Sequence, residues 1–216
     1  MEIVAFVPVK LNNERLPGKN IKAFSNGEPL ITYVLKTLLS VRGLNGIYVY
    51  CSNDSICDFL PEGVTFLKRD AYLDLSTTSF NEVLTTFAEK IDADAYLLTH
   101  ATAPFISKHS FEKGIEALSC GIYDCALTVE RMQEFLWKDN KPLNYNPESI
   151  PRTQDLEPMF VETCGIYIYT RDLIKKQKRR IGDTPCLIEV SKIEAVDINN
   201  PEDFVIADAI YNKLLK

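Results

Sequence analysis

Apolar residues change their spacing in a regular way along the first part of the chain. Residues 3–9 form a short run rich in β-branched side chains and closed by a polar segment, which predicts a buried strand. From Pro29 to Val41 the apolar residues recur at helical spacing, and Pro29 suits a first helical turn. The chain therefore begins with a strand, a polar loop and a helix.

The same alternation continues toward the C-terminus. The predicted strands are GIYVYCS, VTFLK, AYLLTH, DCALTVE, the first part of VETCGIYIYTRDLI, CLIEV and IEAVDI. The predicted helices are DSICDFL, SFNEVLTTFAEKI, SKHSFEKGIEAL, the end of VETCGIYIYTRDLI and the closing NPEDFVIADAIYNKLL. Strands with intervening helices predict a mostly parallel α/β sheet covered on both faces. Ligands bind such sheets where the strands end and the loops begin.

The pattern is interrupted at about residues 130–151. This stretch contains a hairpin-like DNKP, isolated aromatic residues and little helical periodicity, so it predicts an arm or lid. We find no internal repeat and no low-complexity linker. The sequence predicts one domain over residues 1–216, with the arm as an insertion.

Composition and charge exclude several classes of protein. The chain has 216 residues, is 46% hydrophobic and carries a net charge of -6. An acidic protein has no general affinity for nucleic acid or anionic membrane, so any anion site must be a local patch. The sequence has no apolar run long enough to span a bilayer and no signal-peptide pattern at its start, so we expect a cytoplasmic protein. The six cysteines lack paired C-x-x-C spacing, which favours buried free thiols.

Cationic residues are concentrated directly after the first strand. The segment VPVKLNNERLPGKNIKAF, residues 7–24, contains Lys10, Arg15 and Lys19 together with Gly18. A loop of this kind holds phosphates, because backbone N–H groups and cationic side chains converge on the same oxygens. It matches neither the P-loop nor the dinucleotide fingerprint. Taken alone, it is also compatible with a solvated loop carrying ordinary surface lysines.

Five segments in order resemble the sugar-acid cytidylyltransferases, the family of N-acylneuraminate cytidylyltransferase. The first loop of that family reads approximately A-R-x-x-S-K-x-[IL]-P-x-K-N-[IL], and residues 9–21 match it without a gap. The RLPGK portion also resembles the CMP-Kdo synthetases. LLTHATAPF resembles the family's LLQPTSPL, and its ATAPF is similar to pseudaminic acid cytidylyltransferases. The other matches are IPRTQDLEP to R-x-Q-x-L, ETCGIYIY to N-G-A-I-Y-I, and AVDINNPEDF to I-D-I-D-x-x-x-D-F.

The resemblance implies a fold and a reaction. The implied fold is a Rossmann-like, three-layer nucleotidyltransferase (GT-A-like) with a mostly parallel sheet and an inserted dimerisation arm. The implied reaction joins CTP to a nine-carbon 2-keto sugar acid, giving the CMP-sugar and pyrophosphate. The anomeric hydroxyl would attack the α-phosphorus in line, so the protein must position two anionic substrates.

Site residues follow from the matched positions. The catalytic candidates on the phosphates are Lys10, Arg15 and Lys19; the nucleotide contacts are Asn20, Arg69 and Thr78; the sugar-acid contacts are His100, Thr102, Arg152, Gln154 and Tyr167; and the Mg²⁺ ligands are Asp197 and Asn199. A hard dication prefers oxygen ligands and bridges to phosphate oxygens, which suits the last pair.

Four positions depart from the family pattern. Lys10 stands where the family has Arg, Glu14 stands where the sialic-acid enzymes have Lys, His100 stands where the family has Gln, and Asn199 stands where the family has Asp. Glu14 would repel phosphate unless Arg15 pairs with it. Asn199 would bring an oxygen but no charge to Mg²⁺, and it is equally explained as a helix N-cap before Pro201.

Structural roles remain open for other candidates. Arg152 could form a surface ion pair with a nearby acid, His100 could be a hydrogen-bonded interior histidine, and residues 76–79 could cap a helix. The basic run KKQKRR, residues 175–180, is expected to be a solvated or substrate-steering loop.

A homodimer is implied by resemblance, since the arm of the family crosses to a second subunit. The arm's aromatic residues Phe135, Trp137 and Tyr145 are compatible with such an interface.

Two alternative functions remain open. One is a CMP-Kdo synthetase, although that group carries a metal-binding Asp in the loop where this chain reads HATAPF. The other is a nucleotide-binding homologue with weak or no turnover. The sequence does not choose among N-acetylneuraminate, pseudaminate, legionaminate and related acids.

Overall fold

A sheet of seven strands forms the centre of the structure, a computed structural model that describes residues 1–215. The strands are β1 (Ile3–Val9), β2 (Gly46–Cys51), β3 (Thr65–Lys68), β4 (Ala95–Leu98), β5 (Cys125–Met132), β6 (Trp137–Lys138), β7 (Lys141–Pro142), β8 (Met159–Thr170) and β9 (Pro185–Val190). The sheet has the order β3-β2-β1-β4-β8-β5-β9, and β6 and β7 form a separate hairpin. Strand β8 is antiparallel to β4 and β5, whereas the other neighbours pair in parallel.

Helices cover both faces of the sheet, as the sequence predicts. They are α1 (Leu30–Ser40), α2 (Phe80–Lys90), α3 (Lys108–Ser119), α4 (Arg171–Gln177) and α5 (Pro201–Ile210). Successive side chains of β1 point to opposite faces. Ile3, Ala5 and Val7 pack with α1 and α3, and Val4 and Phe6 pack with α2 and α4. The result is the predicted three-layer arrangement.

A third apolar cluster fastens α5 to the opening loop. It includes Leu16 and Phe24 from that loop and Phe204 from α5, and the rings of Phe24 and Phe204 meet edge to face at 5.0 Å. Each of these side chains is buried. The two ends of the chain are therefore held against each other beside the sheet.

The predicted arm contains a tight hairpin. Strands β6 and β7 are joined by Asp139 and Asn140, both with positive φ, of 51° and 60°. Positive φ at both central residues is the geometry of the type I′ turn, and Asp and Asn tolerate it better than most residues. Over residues 1–215, no helix combines the length and the apolar character needed to cross a membrane.

Two sequence predictions were wrong in detail. IEAVDI, residues 193–198, is a turn-rich segment and not a strand: the N–H groups of Ala195 and Val196 donate to Ser191 and Ile193 nearby in sequence. Its apolar side chains pack into the cluster around α5, which removes the need for a ladder partner. The six cysteines are free, as predicted, but only Cys51 and Cys125 are fully buried.

Candidate active site

Several predicted site residues follow the carboxyl ends of parallel strands. Lys10 follows β1, Arg69 follows β3 and His100 lies two residues after β4. The chain goes from β1 to β2 on one side, while β4 pairs with β1 on the other side. The space beyond β1 and β4 is therefore the topological switch point, where ligands bind in open α/β sheets.

The opening loop is braced from within. Gly18 has φ 64°, a left-handed conformation that favours glycine, and it starts a short 3-10 turn over Lys19–Ile21. Asn20 is buried, and its Nδ2 donates to the backbone oxygen of Lys10 at 2.9 Å. This hydrogen bond joins the start of the loop to its end and so holds the backbone of Lys10 close to that of Lys19 and Asn20.

The segment before α5 is fixed just as firmly. The N–H of Ile198 donates to the backbone oxygen of Thr102 at 2.9 Å, which joins this segment to the loop after β4. The carboxylate of Asp203 accepts the N–H groups of Asn199 and Asn200 at 2.9 and 2.7 Å. These bonds hold Asp197 and Asn199 next to the loop of His100.

Two side-chain contacts link the two braced segments, and a third extends the network within the segment before α5. Lys19 Nζ donates to the backbone oxygen of Ile198 at 2.8 Å, and Arg15 Nη2 donates to Asn199 Oδ1 at 2.9 Å. Asn199 Nδ2 in turn donates to Asp197 Oδ2 at 2.7 Å. Residues separated by more than 175 positions in sequence thus form one polar network.

This network borders an open cavity of about 370 Å³, which we call the cleft. It brings together eight of the sequence-predicted residues: Lys10, Arg15, Lys19, Asn20, His100, Thr102, Asp197 and Asn199. A cavity of about 320 Å³ adjoins the cleft on the side of Glu14 and Ser76, and another of about 310 Å³ contains Arg69 and Thr78. Lys10 lines all three cavities, so together they form one groove long enough for more than one ligand group.

Burial changes the protonation of two residues in the cleft. The pKa of His100 is lowered to about 4, chiefly by burial and also by the positive charges of Arg180 and Lys19, against the opposing effect of Asp197. His100 is therefore a neutral hydrogen-bonding group near pH 7 and a weak base. Burial also lowers the pKa of Lys19, against the opposing effect of Asp197. The lysine's ammonium is thus partly desolvated, which strengthens its attraction for an anion.

Asp197 has one oxygen available for a ligand. Its Oδ1 is buried and has no hydrogen-bond partner among residues 1–215, whereas Oδ2 accepts from Asn199. A buried carboxylate oxygen without a partner fits a cation ligand. The described part of the chain contains no cluster of three or more His, Cys, Asp or Glu side chains that could hold a metal alone. The site fits Mg²⁺ bound through one carboxylate, with substrate phosphates supplying further oxygens.

Asn199 is engaged at both ends of its amide. Its oxygen accepts from Arg15 and its nitrogen donates to Asp197. A ligand role for Asn199 would require Arg15 to give up this contact. Arg15 bonds Asn199 and forms no ion pair with Glu14 within the described residues, contrary to the pairing considered from the sequence.

The two residues predicted to contact the nucleotide base, Arg69 and Thr78, line the adjoining cavity. Arg69 is 4% exposed, and its Nε donates to Asp74 Oδ1 at 3.1 Å. The hydroxyl of Thr78 donates to the backbone oxygen of Tyr72 at 2.6 Å. Ser79 is the N-cap of α2 and forms a capping box with Glu82, which accounts for part of the serine-rich run before that helix.

Three sugar-acid candidates lie outside the cleft. Arg152 is in an exposed turn and donates from Nε and Nη2 to the carboxylate of Asp155 at 2.7 and 2.9 Å, the surface ion pair considered from the sequence. Gln154 lies in the same exposed turn. Tyr167 is buried in the sheet, and its hydroxyl donates to Glu162 Oε2 at 2.6 Å. Their roles in binding remain predictions.

Other cleft residues carried no clear signal in the sequence. Asn13 has a buried Oδ1 without a partner in the described chain, and its place in the signature loop was the available clue. Phe80 begins α2 and reads as an ordinary amphipathic position. Cys164 enters the cleft because β8 is irregular there: its φ is 57°, and the pairing with β5 shifts between Leu127 and Val129. A bulge of this kind is not visible in periodicity.

Comparison with known proteins points to one family. A family model described as Cytidylyltransferase matches residues 4–196. The chain is 24% identical over 216 residues to N-acylneuraminate cytidylyltransferase A of Danio rerio, covering 95% of this chain and 50% of that protein. It is 24% identical to CMP-N,N'-diacetyllegionaminic acid synthase of Legionella pneumophila, covering 97% and 96%. The chain thus spans about half the length of the first relative and nearly all of the second.

Solved structures share the fold at low identity. A structure of CMP:2-keto-3-deoxy-manno-octonic acid synthetase complexed with CTP matches with a TM-score of 0.73 and 16% identity, covering 100% of both chains. A 4-diphosphocytidyl-2C-methyl-D-erythritol synthase from Anaerococcus prevotii matches with a TM-score of 0.72 and 13% identity, covering 98% and 96%. At these identities the likeness establishes the nucleotidyltransferase fold alone.

Proposed function

This chain belongs to the cytidylyltransferase family, and on that premise we propose that it transfers the cytidylyl group of CTP to a nine-carbon 2-keto sugar acid. The products would be a CMP-sugar and pyrophosphate. The observation that carries the proposal is the convergence of Lys10, Arg15, Lys19 and Asp197 in one cleft, although they come from opposite ends of an acidic chain. Because the chain as a whole is acidic, an anion can bind only where cationic side chains are concentrated locally. This patch of three cations suits a triphosphate.

The nine-carbon acid is favoured by the relatives. The Danio rerio protein is named for N-acylneuraminate, and the Legionella pneumophila protein for diacetyllegionaminic acid. Each of these acids carries its carboxylate directly on the anomeric carbon, which also bears the reactive hydroxyl. The proposed substrates therefore share their reacting end and differ in distant substituents, which a cleft distinguishes by shape and polar contacts.

The proposed roles follow the layout of the groove. Lys10, Arg15 and Lys19 hold the triphosphate and stabilise negative charge on the leaving pyrophosphate. The cytosine ring occupies the neighbouring cavity beside Arg69 and Thr78. In-line attack forms the bond from the anomeric oxygen to the α-phosphorus and breaks the bond from that phosphorus to the bridging oxygen, and the hydroxyl proton is released to solvent.

His100 and Thr102 line the part of the cleft where the acceptor would approach. A histidine whose pKa is lowered to about 4 is a poor general base near pH 7, so we assign it a hydrogen bond to the acceptor. Neutral imidazole donates from one nitrogen and accepts at the other, which suits a hydroxyl group.

We propose Mg²⁺ as the cofactor, held by Asp197 and by the phosphates of CTP. When bound, the ion would neutralise phosphate charge as a Lewis acid. Asn199 positions both Asp197 and Arg15 through the two ends of its amide. A homodimer joined through the arm is also part of the proposal.

Pyrophosphate release tests this function. The purified protein is incubated with CTP and Mg²⁺ and offered N-acetylneuraminate, legionaminate, pseudaminate and Kdo separately, with UTP in place of CTP as the nucleotide control. We expect release with CTP and one nine-carbon acid. Release with Kdo alone would favour the octulosonate alternative, and CTP binding without release for any acid would favour a homologue that has lost turnover.

A further inference from the structure

Arg180 lies against two aromatic rings, and one of them, Phe80, lines the cleft. It follows α4, where Lys178 ends the helix in a left-handed conformation and turns the chain back. The guanidinium carbon of Arg180 is 3.6 Å from the centre of the Tyr167 ring and 5.3 Å from that of Phe80, which lines the cleft. The side chain is therefore stacked and half-buried, within the basic run that the sequence predicts to be a solvated or substrate-steering loop.

The neighbouring Arg179 provides a contrast. Arg179 donates to Asp183 Oδ1 and to Gln177 Oε1, each at 2.7 Å, so its charge is paired at the surface. Within residues 1–215, the guanidinium of Arg180 has neither an ion-pair partner nor a hydrogen-bond acceptor, although it carries five N–H donors. Stacking covers the face of a guanidinium and leaves the N–H groups at its edge free. Arg180 is thus oriented by the protein and available to an anion.

Arg180 and the phosphate-binding loop have a common neighbour. The ring of His100 is 5.5 Å from that of Phe80, and the charges of Arg180 and Lys19 both act on the His100 imidazole. Lys19 belongs to the network of Asp197 and Ile198, whereas Arg180 belongs to the aromatic wall. A second cationic side chain, separate from the loop after β1, therefore lies beside the Phe80 ring that lines the cleft.

We propose that Arg180 binds the carboxylate of the acceptor sugar acid, a role that rests on the proposed function. The carboxylate of a 2-keto sugar acid is attached to the carbon that bears the attacking hydroxyl, so the cation that holds it must lie beside the place of attack. Arg180 meets this condition through its contact with Phe80, whose ring centre lies 5.5 Å from that of His100. Arg152, by contrast, is already engaged by Asp155 in an exposed turn.

The planar fork of Arg180 matches a carboxylate, because two parallel N–H groups can donate to its two oxygens. Stacking on Tyr167 fixes the plane of the fork before substrate binds. The hydroxyl of Tyr167 is itself held by Glu162, which keeps the supporting ring in place. A preorganised donor pair of this kind makes the site selective for acids over neutral sugars.

Variants at position 180 test the proposal through substrate charge. The substrates are the sugar acid that turns over and its neutral carboxamide, and the variants are Arg180→Met, Arg180→Lys and the neighbour control Arg179→Met. We expect wild type to prefer acid to amide in kcat/KM by roughly 100-fold, as for loss of a charge-assisted hydrogen-bonded pair. Arg180→Met should lose the preference for acid over amide, while its KM for CTP changes less than about threefold. The acid-to-amide ratio of kcat/KM should be about a tenth of the wild-type ratio in Arg180→Lys and should equal the wild-type ratio in Arg179→Met.

An unchanged preference for acid over amide in Arg180→Met, with wild-type turnover intact, would overturn the inference and leave the proposed function standing. No turnover by wild type with any sugar acid would overturn both. A uniform fall in kcat/KM for acid and amide, with a lowered Tm, would show a purely structural role and also reject the inference. If Arg180→Met does not fold, the acid-to-amide ratio of Arg180→Lys decides, and a wild-type ratio in that variant rejects the bidentate contact.

Discussion

At the scale of single residues, charges concentrated by folding determine what this chain can bind. The signature loop predicted Lys10, Arg15 and Lys19 as phosphate contacts, and the structure places all three at the cleft. The sequence could not predict which hydrogen bonds they make before a ligand arrives, since those partners lie far along the chain. Arg15 reaching Asn199 is one such contact.

Removing the charge of Lys19 should impair the use of CTP. Lys19→Met keeps most of the length of the side chain and removes its ammonium, and we expect kcat/KM for CTP to fall by about 100-fold or more, as for loss of one preorganised donor to a transferring group. Steady-state kinetics with CTP as the varied substrate provide the measurement. Lys113→Met, an exposed position on α3, is the matched control and should retain full activity. Normal CTP kinetics in Lys19→Met would remove this lysine from the phosphate site.

His100 should make stability depend on pH in acid. Its pKa is about 4 in the folded chain and about 6.5 when unfolded, so the unfolded state takes up the proton first as pH falls. Stability should therefore decrease from pH 7 toward pH 4, with a contribution from His100 of roughly 2 kcal/mol. Urea unfolding of the metal-free protein at pH 7 and pH 4.5 measures the effect.

The comparison with His100→Gln isolates this contribution from that of the carboxylates. The variant should lose less stability than wild type over the same pH interval, and His109→Gln, at the only other histidine, should behave as wild type. Equal losses in wild type and His100→Gln would contradict the assignment of a buried neutral histidine.

At the scale of elements, periodicity predicted the sheet and its helices because each has one strong apolar pattern. The alternate residues of β1 divide between the two faces, and this is what a strand covered on both sides requires. Residues 193–198 defeated the same reasoning, since their apolar side chains pack onto α5 and not into a ladder. The bulge at Cys164 was also beyond prediction, because it depends on the register with β5.

The turn before α5 carries the proposed metal ligand, and Asn199→Asp tests it. A second carboxylate beside Asp197 should strengthen Mg²⁺ binding, since adding a charge near a dication increases attraction in a partly buried site. We expect the Mg²⁺ concentration at half-maximal activity to fall by about tenfold, accompanied by a larger Mg²⁺-dependent rise in Tm.

Asn200→Asp is the control for that experiment. Its side chain lies one residue further, at the N-cap of α5, where aspartate is well tolerated. It should leave the Mg²⁺ dependence unchanged. An identical shift in both variants, or none in Asn199→Asp, would argue against a cation beside Asp197.

At the scale of the whole molecule, exposed apolar side chains are concentrated around the arm. They include Trp137, Leu143 and Ile150 of the arm region, Phe160 and Val161 of β8, and Leu187 of β9. Exposed large apolar and aromatic side chains such as these are enriched at interfaces. It supports the homodimer that the family resemblance suggested.

Trp137→Glu should therefore weaken self-association. We expect wild type to sediment at twice the chain mass of 24.5 kDa and the variant at the mass of one chain, because a buried charge at a central aromatic position typically costs several kcal/mol. Val205→Glu, at an exposed apolar position on α5, is the control and should remain associated. Wild type sedimenting as a single chain would refute the dimer.

The sequence predicted the molecule's class better than its site. Eight predicted residues meet at the cleft because the fold brings together the loops that follow β1 and β4 and the turn before α5. Arg180 lay in a basic run that gave no sign of stacking, and Arg152 lay in a motif yet faces Asp155. Side-chain partners of this kind depend on tertiary placement.

The fate of the α-phosphate of CTP tests the central claim most directly. CTP labelled at that position is incubated with Mg²⁺, the protein and each sugar acid in turn, and the products are separated and identified by mass. We predict that the label appears in a CMP-sugar formed with one nine-carbon acid, together with an equal amount of unlabelled pyrophosphate. Label that stays in CTP with every acid, or that appears as free CMP without a sugar product, would contradict the account.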